Sequence, residues 1–235
     1  ELPFLLPRDV EKRAKVEAAV FAHPEIVKES SGRWNLRYFA PNILPAYEFM
    51  GNKPIRNVED MKGVKMRISG LNAKALEQFG GVPTMVTAPE GYTALERGTI
   101  DSFGFPYSYA FGAYKLYEVS KYVTDGVGMS GFMCWYGVSN DAWKKMPDKI
   151  LAMLPKLQEE ANQKLFAAYK AADEKWIPVF KERLEVAAFP AEEREKLSAG
   201  AGAIWNQWAE EQEAAGRPGK TILEFVKAEV AKVSK

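Results

Sequence analysis

The stretch VKMRISG, residues 64–70, is the part of the sequence that best indicates both a fold element and a site. Apolar and more polar residues alternate along it, as in a strand with one buried face: Val64, Met66 and Ile68 against Lys65, Arg67 and Ser69. A buried arginine is costly unless an anion meets it. Arg67 is therefore interpreted either as the partner of an internal carboxylate or as the anchor of an anionic ligand.

The composition is that of an ordinary globular chain. Of the 235 residues, 47% are hydrophobic and 27% are charged, which allows one large domain or two small ones. A formal net charge of +1 gives no field that would recruit nucleic acid, and no apolar run is long enough to span a bilayer. A single cysteine, Cys134, forms no intrachain disulfide, and the single histidine, His23, argues against a His-based metal site or triad.

Strand and helix patterns alternate over the first 140 residues, which predicts an α/β fold with a largely parallel sheet and crossover helices. The predicted elements here include a strand over 83–87 and one helix over 108–120. From residue 141 the pattern is almost entirely helical. We expect a long helix within 147–180, a helix over 189–216 and a last helix over 221–233.

Enzyme signatures are weak. No phosphate-binding loop, GxGxxG turn, GxSxG elbow, HExxH or CxxC motif occurs in the sequence. Asp60 and Glu96 are interpreted as solvated or capping carboxylates, and Asp101 as a cap or turn residue. The segment 103–117 holds seven Phe or Tyr residues. These aromatic residues form either core or the wall of a small-molecule pocket, and the pattern alone leaves both interpretations open.

Residues 57–103 resemble the central part of the DctP-type substrate-binding proteins of tripartite ATP-independent periplasmic (TRAP) transporters. The family's pattern is a Lys–Gly turn, K-x-R, G-x-x-P with nearby spacing, E-x-Y-x-A-L-x-x-G and an Asp. The matching residues here are Lys62, Gly63, Lys65, Arg67, Gly81, Pro83, Glu90, Tyr92, Ala94, Leu95, Gly98 and Asp101. YEVSKY (117–122) and VSNDAWKKMP (138–147) are also similar to the family.

The resemblance implies a two-lobed periplasmic-binding-protein architecture with a long bracing helix and a helical C-terminus. It assigns 1–44 and 133–172 to lobe I with the connecting helix, and 45–132 and 173–235 to lobe II. It also implies that the N-terminal part of one lobe is absent from this chain. In the family the K-x-R arginine, here Arg67, forms a bidentate salt bridge with the ligand carboxylate in the cleft between the lobes.

Departures from the family pattern narrow the expected ligand. Sialic-acid receptors carry an asparagine near the position of Phe105, and receptors that bind 2-oxo acids through a cation carry Glu-Trp where Gly104 and Phe105 stand here. The aromatic replacement predicts a carboxylate with an apolar or aromatic body, held without a metal or cofactor. The candidate ligand-binding residues are Arg67, Ser69, Tyr47, Ala88, Phe105, Tyr107 and Trp135.

The resemblance thus implies a periplasmic solute receptor that is not an enzyme. Its expected partners are a small organic carboxylate and the membrane permease of a TRAP transporter, with no nucleic acid and no membrane span of its own. Two alternatives stay open: an enzyme on the same two-lobed scaffold, and a receptor that passes its ligand state to a signalling partner. The sequence contains no nucleophile–base pair that would favour the enzyme.

Overall fold

The computed structural model describes residues 2–234, apart from the side chain of Pro41. These residues form two compact units, each built from three chain segments. Unit 1 comprises 2–8, Pro45–Gly131 and Tyr169–Trp208, and unit 2 comprises Asp9–Leu44, Phe132–Ala168 and 209–234.

This grouping differs from the predicted lobes mainly at the two ends of the chain. Residues 2–8 belong to unit 1, where the indole Nε1 of Trp205 donates to the carbonyl of Pro3 (2.8 Å). Residues 209–234 belong to unit 2, because the last helix of the chain (Gly219–Ser234) packs against the first (Val10–Ala22).

Unit 1 is centred on a six-stranded sheet. The strands are β2 (Tyr47–Gly51), β3 (Lys65–Arg67), β4 (Val82–Pro83), β5 (Ser102–Pro106), β6 (Tyr122–Asp125) and β8 (Glu185–Ala188). Their order across the sheet is β4-β3-β5-β2-β6-β8. Only β2 among them runs antiparallel to its neighbours, so the prediction of a largely parallel sheet is confirmed for this unit. The three-residue strand β3 comes from the stretch VKMRISG, and its alternation is confirmed: Val64, Met66 and Ile68 are at most 1% exposed.

Helices and two 3-10 turns cover the sheet of unit 1. They are α3 (Leu71–Glu77), α4 (Gly91–Glu96), α5 (Tyr109–Ala113), α8 (Ala191–Ala199), most of α9 (Ala201–Ala214), the end of α7 (Asp148–Arg183), and the turns Glu59–Met61 and Leu116–Glu118. One core cluster joins Met50, Phe103, Phe111 and Phe180, which are all fully buried. Because Phe103 lies on β5, this cluster fixes the position of that strand in unit 1.

Unit 2 contains a two-stranded antiparallel sheet of β1 (Leu36–Ile43) and β7 (Met133–Ser139). Its helices are α1 (Val10–Ala22), α2 (Pro24–Arg33), α6 (Asn140–Lys144), the first part of α7, and α10 (Gly219–Ser234). His23 joins α1 to α2: its backbone N–H donates to Val20, and its Nδ1 accepts from the amide of Glu25 (3.3 Å). The only histidine of the chain therefore has a capping role here.

A buried ion pair ties α1 to the end of this small sheet. The Nε of Arg13 donates to Glu17 (2.7 Å), and its two Nη atoms donate to the carbonyls of Leu44 (3.1 Å) and Phe132 (3.0 Å). Arg13 and Glu17 are 1% and 0% exposed. Burial raises the pKa of Glu17, and the charge of Arg13 opposes that rise. The pair closes the open end of the β1–β7 ladder with a charge-assisted network.

The long helix predicted within 147–180 is confirmed as α7, which has 36 residues. Other boundaries were wrong. The helix expected over 189–216 is two helices that separate at Gly200, in a Gly-rich stretch of low helix propensity. The helix expected over 108–120 ends at Ala113, because Lys115 adopts a left-handed backbone (φ 54°). The strand expected over 83–87 is only β4, and the chain then leaves the sheet at the exposed Met85.

No helix within residues 2–234 combines the length and the apolar character needed to cross a membrane.

Candidate functional site

Arg67 lies at the end of β3 with its guanidinium held over two aromatic rings. Its Cζ is 4.8 Å from the ring centre of Phe103 and 4.9 Å from that of Phe105. Its Nε donates to the carbonyl of Val86 (3.1 Å). Two ring faces and one backbone acceptor therefore fix the plane of the guanidinium, which is half-buried.

The sheet explains why these groups meet. Strand β3 pairs in parallel with β5, and Arg67 is in register with Phe103. Phe103 is fully buried, and a Cβ at Gly91 would lie 2.3 Å from its ring, so the glycine lets helix α4 approach that ring closely. The aromatic support of Arg67 thus belongs to the core of unit 1: Phe103 is in the buried cluster, and Phe105 packs against it.

Two of the predicted aromatic residues lie in this region. Phe105 contacts Phe103 (centroids 5.3 Å apart), Tyr114 (5.7 Å) and the edge of Tyr47 (6.1 Å). Tyr47 is 1% exposed and belongs to β2, where it is in register with Pro106 on the neighbouring strand. The structure therefore joins Tyr47, Phe105 and Arg67 through one continuous aromatic cluster.

The other predicted residues have different surroundings. Tyr107 packs against Phe111 and Phe180 (6.3 Å each), and burial raises the pKa of its hydroxyl. Ala88 packs against the core cluster of unit 1, and Ser69 is half-buried just after β3.

Trp135 lies on β7 in unit 2. There it contacts Phe21 (5.6 Å) and Tyr38 (6.3 Å). Its predicted place in the ligand wall with Phe105 and Tyr107 stays a prediction.

The side chain of Asp101 bonds to residues distant in the sequence, and the cap or turn role predicted for it stays a prediction. Its Oδ2 accepts from the backbone N–H of Lys65 (2.9 Å) and from the Nζ of Lys53 (3.1 Å). Hydrogen bonds and lysine charges together lower the pKa of Asp101, although partial burial acts in the opposite direction. This carboxylate therefore fixes the start of β3 at Lys65, two residues before Arg67.

Sequence reasoning missed Glu48, a buried carboxylate next to Tyr47. The hydroxyl of Thr124 donates to it (2.6 Å), and the three consecutive amides of 126–128 donate at 3.3, 3.2 and 2.9 Å. An Nη of Arg8 lies 3.9 Å away. The signal was present in AYEFMG, since a charged residue inside an apolar strand needs partners, which is the reasoning that singled out Arg67.

Burial raises the pKa of Glu48 to about 7, although its hydrogen bonds and Arg8 act in the opposite direction. A carboxyl whose pKa is higher in the folded state than in the unfolded state stabilises the fold most below about pH 4.5. That contribution is lost as the pH rises through about 7. We expect the free energy of unfolding to fall between pH 5 and pH 8 by at most about 3 kcal/mol relative to Glu48→Gln. Urea titrations of both proteins at the two pH values measure this difference; parallel curves would contradict it.

Within residues 2–234 no group of three or more His, Cys, Asp or Glu side chains is arranged to hold a metal ion. The groups shown at the Arg67 guanidinium are the faces of Phe103 and Phe105 and the backbone carbonyl of Val86. This chemistry suits an anion with an apolar body.

The fold and the site together define the class of this protein: an α/β chain of two units in which an arginine lies over two aromatic rings. Over residues 1–212 the chain matches the family described as bacterial extracellular solute-binding protein, family 7, and it belongs to that family. Members are periplasmic transport receptors and not enzymes.

Similar proteins agree with this assignment. The chain is 30% identical over 150 residues to the C4-dicarboxylate-binding periplasmic protein DctP of Rhodobacter capsulatus. The aligned region covers 61% of this chain and 44% of that protein. The chain spans less than half the length of the curated relatives it matches.

Solved structures show the same fold. A TRAP solute-binding protein of Desulfovibrio salexigens with bound orotic acid superposes with a TM-score of 0.85 at 21% identity, covering 99% of this chain and 74% of that one. A TRAP solute-binding protein of Rhodoferax ferrireducens T118 in complex with copurified benzoate superposes with a TM-score of 0.79 at 21% identity, covering 100% of this chain and 73% of that one.

Proposed function

We propose that this chain is the ligand-binding part of a periplasmic receptor that captures a small organic carboxylate with an apolar or aromatic body. The receptor delivers this ligand to the membrane permease of a TRAP transporter. Arg67 binds the carboxylate, and the aromatic cluster around Phe105 contacts the apolar body.

The observation that carries this proposal is the orientation of Arg67. A guanidinium fixed through its Nε and stacked on Phe103 and Phe105 directs the N–H groups of its outer edge in one plane. A carboxylate fits such an edge with two parallel charge-assisted hydrogen bonds. Pre-ordering by the ring faces lowers the conformational entropy that a flexible arginine would lose on binding.

The expected apolar body follows from what surrounds that arginine. Phe105 is half-buried and joins Tyr47 and Tyr114, so the neighbouring surfaces are mainly ring faces and edges. A flat or apolar ligand gains contact area there, whereas a polyhydroxylated one would leave hydroxyls without partners. Structural neighbours that hold orotic acid and benzoate support an aromatic or heteroaromatic acid as the first class to test.

A panel of small acids tests the proposed ligand class by thermal unfolding. We expect benzoate-like and other apolar monocarboxylates to raise the melting temperature by roughly 5–10 °C at about a hundred times their dissociation constant. Benzamide, which keeps the ring and lacks the charge, is the matched control and should give no shift. Shifts confined to sugars, peptides or cations would reject this ligand class.

The same panel separates a receptor from an enzyme on this scaffold. After incubation with a ligand that raises the melting temperature, mass spectrometry should recover that ligand chemically unchanged. A new product formed in proportion to protein and time would favour the enzyme.

A further inference from the structure

We propose that Glu48 is a positioning residue for the ligand site. Its carboxylate fixes the backbone of segment 126–130, and this segment holds Tyr47 in the place it takes beside Phe105. The inference rests on the proposed function, because it concerns the same site. Glu48 itself need not touch the ligand.

The backbone of segment 126–130 is shaped around this carboxylate. Three consecutive amides converge on its two oxygens, and this arrangement requires the left-handed conformations of Gly126 (φ 119°) and Gly128 (φ 52°). A Cβ at Gly126 would lie 2.3 Å from the carbonyl oxygen of Phe189, so only glycine fits there. A loop of this shape is stable when the oxygens of a carboxyl group accept its N–H groups.

The opposite face of the loop is also fixed. The Nε of Arg194 donates to the carbonyl of Val127 (3.1 Å), and its Nη2 donates to that of Gly128 (3.4 Å). The amides of the loop therefore donate to a buried carboxylate, and two of its carbonyls accept hydrogen bonds from a guanidinium. Removing the carboxylate would leave buried N–H groups without an acceptor, which costs more than one ordinary hydrogen bond.

The loop reaches the ligand site through Tyr47. The N–H of Tyr47 donates to the carbonyl of Met129 (2.8 Å), and the N–H of Met129 donates back to Tyr47 (3.1 Å). One residue later, the side chain of Asn72 donates to the carbonyl of Ser130 (2.8 Å). Because Tyr47 contacts Phe105, a shift of 126–130 moves one edge of the aromatic cluster that supports Arg67.

The test uses Glu48→Gln, which keeps the side-chain volume and turns one acceptor oxygen into an NH₂ donor facing other donors. With benzoate as the probe, calorimetry well below the melting temperature should show a roughly tenfold loss of affinity. Asp125→Asn is the matched control, because Asp125 is the exposed carboxylate that ends β6 directly before this segment, and it should bind like the wild type. A Glu48→Gln protein that melts earlier but binds benzoate with unchanged affinity would overturn the proposal.

A double-mutant cycle with Tyr47→Leu tests the route. If Glu48 acts through Tyr47, Glu48→Gln should cost less than about twofold in affinity in the Tyr47→Leu background, because neighbours on one route are not additive. A full tenfold loss in that background would show that Glu48 acts independently of Tyr47 and would refute the route.

Amide hydrogen exchange decides the role of Glu48 without any ligand. In Glu48→Gln the amides of 126–129 and of Tyr47 should exchange at least about tenfold faster, while those of β3 stay unchanged. If the wild type binds no carboxylate, the proposed function fails, and the exchange rates still test whether Glu48 positions Tyr47. Unchanged exchange at Tyr47 in Glu48→Gln would overturn the positioning role.

Discussion

Arg67→Ala should lose about two to three orders of magnitude in affinity for the bound carboxylate while the protein stays folded. Removing one partner of a desolvated charged pair typically costs about 2–5 kcal/mol, because the remaining charge has no replacement partner. Isothermal calorimetry on the folded variant measures this loss. Arg97→Ala is the matched control: Arg97 is an exposed arginine of the same unit, and its removal changes the net charge equally.

Arg67→Lys should fail almost as badly, although it keeps the positive charge. An ammonium makes no planar two-bond fork, cannot stack on Phe103 and Phe105, and has no Nε to reach the carbonyl of Val86. The competing interpretation, in which Arg67 serves an internal carboxylate, makes a different forecast. Both variants would then melt earlier without ligand and bind normally once folded, and that result would end the proposal for Arg67.

Much of the fold could be predicted because its signals are local. The alternation of residues 64–69 specified a strand with Arg67 on its polar face, and the helical periodicity after residue 147 specified α7. The specific motif around Lys65 and Arg67 pointed to the family, and the family match confirms it. Periodicity and motif spacing are properties of the sequence itself, so they need no knowledge of the tertiary packing.

The rest depended on contacts between distant segments. Glu48 looks like one charge in a strand until β6 and the loop after it bring Thr124 and three amides to its oxygens. Phe103 was grouped with a general aromatic run, and only the parallel register of β3 and β5 puts it under Arg67. The end of helix α8 at Gly200 was missed for a different reason: the Gly-rich stretch is a local signal, and the apolar pattern did not mark it.

The second large effect expected from this structure is on stability, at the buried pair of unit 2. Arg13→Met should destabilise the protein by about 3–5 kcal/mol, because it leaves Glu17 as an uncompensated buried carboxylate. Urea unfolding measures the loss. Arg33→Ala is the control, because it breaks an exposed i,i+4 ion pair between Arg33 and Glu29 (3.4 Å) in the same unit. Its cost in unfolding free energy should be below about 0.5 kcal/mol.

The pH dependence and a second substitution show which part of the network contributes most to stability. Without Arg13 the pKa of Glu17 rises further above its unfolded value, so the stability that its protonated form retains at low pH is lost as the pH rises. Arg13→Met should therefore be less damaging at pH 5 than at pH 8. Adding Glu17→Leu removes the unpaired carboxyl and should recover at least about 1 kcal/mol at pH 8. If the double variant is no more stable than Arg13→Met and the loss is equal at both pH values, the unpaired charge is not the main cause of the destabilisation. The main cause is then that the carbonyls of Leu44 and Phe132 no longer accept hydrogen bonds from Arg13.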